Sequence, residues 1–184
     1  MKNFKSAFTL AEVLLSLTII GVIAAISIPQ VYNAVNNAQT NATVGRAVEQ
    51  IELGAQNMMQ SYIAEHPEKP AVTTFSDMLD KSGNMPSEDD FITPLGLTEI
   101  DGHSGEYRLD KLRASIAFSN DTNGKNAVKP TDWFIVVYLD VNGPETGVNA
   151  EGKDIYTFEL LNNGRLRADS ANAKEAIDNG FKQN

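Results

Sequence analysis

The stretch FTLAEVLLSLTIIGVIAAISI, residues 8–28, decides how the chain is organised. It is apolar almost throughout and carries one carboxylate, Glu12, near its start. As a helix, these 21 residues at about 1.5 Å each span roughly 30 Å, the thickness of a bilayer's hydrocarbon core. The positive charges near its N-terminal end are Lys2, Lys5 and the Met1 amine. That excess keeps the short leader in the cytoplasm and sends everything after Pro29 across the membrane. A secretory signal peptide is the competing reading, but its apolar core runs about 7–15 residues and ends at a small-x-small site. This span is longer, contains an acid, and continues into Pro29-Gln30-Val31-Tyr32.

Glu12 is the feature that hydropathy leaves unexplained. A carboxylate one turn inside an apolar span is costly and calls for a partner or a function. Taken alone, a position near enough to the interface to stay hydrated also accounts for it. Its surroundings add more. The stretch KSAFTLAEVLLSLTIIGVIAAISIP, residues 5–29, resembles the class III leader and N-terminal helix of type IV pilins and type II secretion pseudopilins. In that family a membrane peptidase cuts just before a Phe and methylates the new amine, and a Glu is the fifth residue of the processed chain. Phe8, Thr9, Leu10, Ala11 and Glu12 match that pattern position by position.

The resemblance implies cleavage between Ala7 and Phe8, methylation on Phe8, and polymerisation into a pilus or secretion pseudopilus. The family usually has Gly before the cut, where this chain has Ala7, another small residue. Within such a filament Glu12 of one subunit neutralises the Phe8 ammonium of a neighbour, so that two groups costly alone form a buried pair. The implied partners are other pilin or pseudopilin subunits, the prepilin peptidase and the bacterial inner membrane. The chain crosses that membrane once, with its C-terminal head outside the cytoplasm.

The remaining residues, out of 184 in all, suffice for one soluble domain. The formal net charge is −9, and loss of Lys2 and Lys5 with the leader takes it to −11. So acidic a body argues against general nucleic-acid binding, and no nucleic-acid partner is expected. The absence of cysteine excludes a disulfide framework, a thiolate zinc site and a cysteine nucleophile. It also departs from the many major pilins that close a C-terminal loop with a disulfide, which points to a pseudopilin or minor subunit.

Four segments follow: a leader over 1–7, a membrane and assembly helix over 8–28, its amphipathic continuation over 29–65, and a globular head over 66–184. Pro29 removes a backbone donor and kinks a continuing helix. Beyond it Val44, Val48, Ile51, Ala55, Met58 and Tyr62 recur at alternating spacings of 4 and 3, one stripe of an amphipathic helix. Arg46, Glu49, Gln50, Asn57 and Gln60 lie off it. The helix should stop before Pro67. From 66 to 105 prolines and glycines break the chain repeatedly, with short helical pieces expected at 74–79 and 87–91. The acidic run Glu88-Asp89-Asp90 reads as a solvated helix start.

Strand signals begin near Tyr107. Residues 113–118 alternate with Ala114, Ile116 and Phe118 on one face, and 120–124 (NDTNG) read as a turn. WFIVVYLDV, residues 133–141, is the strongest strand and suits a central position. Ile155–Leu161 follows, and Asn163-Gly164 turns it tightly into a strand over 165–168. The expected fold is α+β and pilin-like: one long N-terminal helix whose outer half packs on three or four antiparallel strands. The tail over 171–184 has the makings of a short helix carrying Phe181.

One constellation outside the N-terminus holds candidate ligands. Asp140, Asn142 and Asp154 lie on a loop between two strands, where they either gather a hard cation such as calcium or make the turns that Asp, Asn and Gly favour. Some pseudopilins hold calcium in a loop near the sheet. His66 and His103 have no GxSxG serine, HExxH or cysteine beside them, and no phosphate-cradling glycine motif is present, so no enzyme is expected. Two functions of different class remain. One is a cleaved, methylated and polymerised prepilin; the other is a surface binding module on a permanent single-span anchor.

Overall fold

The computed structural model describes residues 9–69, 71–78, 94–109, 112, 114–122, 126–144 and 150–181, with side chains outside 119–122. The chain divides into two compact units, Met1–Gln39 and Thr40–Asn184. Helix α1, Leu10–Glu65, contributes to both, with Pro29 inside it. It stops at Glu65, directly before His66-Pro67, in keeping with the bias against helix before a proline.

In the first unit the large apolar side chains from Leu10 to Val35 stand exposed. The segment is helical and apolar enough to cross a membrane by length and composition.

The second unit is an antiparallel sheet laid on the outer half of α1. Among the described residues it has six strands in sequential order: β1 Leu97–Ile100, β2 His103–Leu109, β3 Ser115–Thr122, β4 Trp133–Asp140, β5 Ile155–Leu161 and β6 Leu166–Ala168. Val44, Val48, Ile51, Ala55 and Met58 are buried as the stripe requires, with Tyr62 packed at its margin. Facing them, Val137, Leu139, Tyr156, Phe158 and Leu160 supply the sheet side of the core, and the Phe75 and Phe134 rings meet at 5.2 Å. The sequence pattern also passed over Gly54. A Cβ there would lie 2.9 Å from Cα of Leu95, so only glycine lets the segment before β1 lie against the helix. Gly164, in the β5–β6 turn at φ 81°, likewise brings that turn down onto Ala55 and Met59.

Three expectations need correction. Among the described residues the sheet has six strands, not three or four, and strand structure begins at Leu97 rather than near Tyr107. The glycines that seemed to interrupt this region punctuate it instead. Ile100 pairs with His103, so Asp101-Gly102, with Gly102 at φ 82°, is a two-residue hairpin turn. Residues 120–122 continue β3 instead of turning, with the register slipping between Phe118 and Thr122 opposite β4. The strand at 133–140 is internal as expected, between β3 and β5.

Of the short helices, a 3-10 turn forms at Phe75–Met78. The one expected at 87–91, with Glu88-Asp89-Asp90, lies outside the described residues. The tail forms helix α2, Ala171–Phe181, which buries Ala173, Ala176 and Gly180 and leaves Phe181 exposed. Both sheet edges are modified. Glu52 Oε1 accepts the Leu166 N–H at 2.8 Å on β6, and β1 has an irregular register at Glu99 and Ile100.

The 3-10 turn is held by Asp77, whose Oδ2 accepts the N–H groups of Thr73 and Thr74 at 3.0 Å and the Thr74 hydroxyl at 2.8 Å. Burial pushes its pKa up, but these donors outweigh it and leave the carboxyl below its ordinary value. Asp77→Ala is therefore expected to lower stability by about 1 kcal/mol at neutral pH. With the folded pKa depressed, the contribution is complete above the unfolded value and fades as pH falls through the folded one. Denaturant titrations at pH 7 and pH 3 check this: the gap between wild type and variant should narrow in acid.

Candidate functional site

Thr9 and Glu12 form a reciprocal pair at the start of α1. The Thr9 N–H and Thr9 hydroxyl both donate to Glu12 Oε2, at 2.8 and 2.9 Å, and the Glu12 N–H points back to Thr9 Oγ1 at 3.3 Å. This is the capping box of a T-x-x-E sequence, with Thr9 as the N-cap and Glu12 three residues on. Two further hydroxyls in the apolar segment bond back one turn, Ser16 to the Glu12 carbonyl and Thr18 to the Leu14 carbonyl, each at 2.8 Å. Sequence reasoning placed Glu12 on the helix and missed Thr9 as its partner, although the T-x-x-E spacing was the available signal. Ala7 and Phe8 lie outside the described residues.

The second candidate lies in the loop after β4. Asp140 Oδ1 accepts the N–H groups of Asn142 and Gly143, both at 3.1 Å, and Asp154 Oδ1 accepts the Ala150 N–H at 2.6 Å. The Val141 N–H donates to the Asp154 carbonyl at 2.9 Å, and Asn142 Nδ2 reaches Asp154 Oδ2 at 3.5 Å. Asp140, Asn142 and Asp154 are thus brought together, and three of these bonds are the local side-chain turns expected of Asp. Not every oxygen is used, however. Asn142 Oδ1 is buried and has no hydrogen-bond partner among the described residues. Burial raises the Asp140 pKa despite its two N–H donors, and the nearby Asp154 and Glu106 add to the rise. An orphaned amide oxygen beside two carboxylates is a donor set that suits a hard, oxygen-seeking cation. Among the described residues no three of the His, Cys, Asp and Glu side chains converge as a metal group.

The two histidines belong to neither place. His66 stacks on the Tyr62 ring at 4.3 Å and pairs with Glu68 at 3.0 Å, while His103 lies 4.0 Å from Glu106.

Residues 2–28 match the family described as the prokaryotic N-terminal methylation motif, the class III prepilin-type signal of type IV pilins and pseudopilins. The chain thus carries a prepilin-like signal, followed by a long apolar helix that fits membrane anchoring and by an α+β, pilin-like head. The motif points to a structural subunit that assembles with others of its kind and is processed by a prepilin peptidase. No curated protein and no solved structure matches the chain.

Proposed function

We propose that this protein is an inner-membrane prepilin, cut between Ala7 and Phe8, methylated on the new Phe8 amine, and assembled through residues 8–28 into a type IV pilus or type II secretion pseudopilus. The observation that carries the reading is the methylation motif over residues 2–28, with Glu12 set in an otherwise apolar, exposed helix. The same surface serves as bilayer anchor before assembly and as filament core afterwards. The cysteine-free head favours a pseudopilin or minor subunit over a disulfide-closed major pilin. Intact-mass measurement on membrane-extracted protein tests it. The expected mass lacks residues 1–7 and includes one added methyl group. A chain that begins at Met1 overturns the reading and favours the permanently anchored binding module.

A calcium ion held by Asp140, Asn142 and Asp154 is a second, separate proposal, supported by the orphaned Asn142 oxygen. At a weak extracellular-type site, about 10 mM calcium adds roughly 1–3 kcal/mol to stability. Thermal unfolding of the detergent-solubilised chain should shift upward with calcium, not with magnesium, and Asp140→Asn should abolish the shift. No shift leaves the three residues as turn formers alone.

A further inference from the structure

We propose that Thr9 is the positioning residue for Glu12: it holds one carboxylate oxygen within its own chain and leaves the other to receive the ammonium of a neighbouring subunit. The inference rests on the assembly reading above and names the residue that prepares the acid for it.

The two carboxylate oxygens are not equivalent. Oε2 takes two donors from Thr9, at 2.8 and 2.9 Å, while Oε1 accepts nothing from the described residues. A helical side chain leans toward the N-terminus. The contact with Thr9 extends that lean, drawing the charge back by about three residues, or roughly 4.5 Å of helix, toward the cytoplasmic end. The acid is therefore held near the rim of the apolar segment rather than within it, which lowers the cost of storing it in a bilayer before any partner arrives.

Holding also fixes direction. A free Glu side chain loses rotamer freedom when it pairs, whereas one already closed into a ring with Thr9 has lost most of it. The Thr9 hydroxyl is central because it donates to the carboxylate and accepts from the Glu12 N–H. Valine has nearly the same shape but no hydroxyl, so Thr9→Val keeps the backbone donor and opens the ring. Serine restores it.

The experiment compares wild type, Thr9→Val, Thr9→Ser and the double variant Thr9→Val/Glu12→Ala in cells carrying the assembly machinery. Filament yield is scored per cleaved subunit, with cleavage read from intact mass. Thr9→Val should lower that yield about fivefold, the loss expected of an N-cap. Thr9→Ser should assemble normally, and adding Thr9→Val to Glu12→Ala should cost nothing further. Normal yield from Thr9→Val beside a defective Glu12→Ala overturns the positioning role and leaves the assembly reading intact. An equal loss in both backgrounds also overturns it, since Thr9 would then act apart from the acid. Normal yield from Glu12→Ala alone overturns the assembly reading itself.

Discussion

Glu12→Ala is expected to leave cleavage before Phe8 intact and to cut the assembled fraction by roughly tenfold or more. On the proposed reading cleavage does not use the carboxylate, which acts when a second subunit brings its Phe8 amine. In the proposed filament, alanine would leave that ammonium stranded in an apolar core, and a stranded charge costs far more than the intact pair contributes. Glu12→Gln separates the two jobs of the side chain. Glutamine still accepts from Thr9 in a capping box, yet it offers no charge. If the pairing is ionic, Glu12→Gln assembles as poorly as Glu12→Ala. Sheared-filament yield or secretion, measured beside intact mass, decides the matter, and wild-type filaments from Glu12→Ala would remove the acid from the assembly step.

Asn162→Ala should destabilise the second unit by roughly 3 kcal/mol, lowering the thermal midpoint by about 10 °C. This residue is fully buried just after β5. Its backbone bonds to Asp132 and Phe75, both at 2.8 Å, while its Oδ1 accepts the Ser76 N–H at 2.9 Å and its Nδ2 donates to the Ala127 carbonyl at 2.8 Å. One side chain therefore ties the 3-10 turn, the segment before β4 and the β5–β6 turn together. Its removal strands the part-buried Ser76 N–H and takes from the Ala127 carbonyl one of its two donors, leaving it the Ser76 hydroxyl at 2.7 Å. A stranded group costs about 1–3 kcal/mol, and the vacated buried volume adds to that. Asn162→Asp keeps the acceptor, loses the donor and buries a charge, so it should be no milder. Denaturant unfolding followed through Trp133 fluorescence checks both variants, and a loss below about 1 kcal/mol would mean that water replaces the network.

How far residues alone reveal this molecule varied along the chain. The helix stripe from Val44 to Tyr62 and the alternation in β5 are legible because burying one face imposes a period that sequence records directly, and β4 is legible from the continuous apolar run of an internal strand. The first hairpin is not. Leu97–Ile100 is only four residues long, and in the sequence Gly102 is one more break among many. Asn162 was overlooked for a related reason. The adjoining Asn163-Gly164 turn signal masks it, yet the inward face Tyr156, Phe158, Leu160 continues in step to position 162. A polar residue on an inward position is the mark of a buried hub. Glu12 drew notice because charge in an apolar run is conspicuous, while Thr9 beside it looked unremarkable without the bonds that join them.

A helix carboxylate covers the outermost strand through Glu52 and Leu166, and β6 is only three residues long. Subunits of a polymer live at very high local concentration, where any open row of amides is an invitation to runaway strand addition and amyloid-like growth. In the proposed filament, blunting that margin would leave self-association to the apolar helices, so that growth follows one geometry.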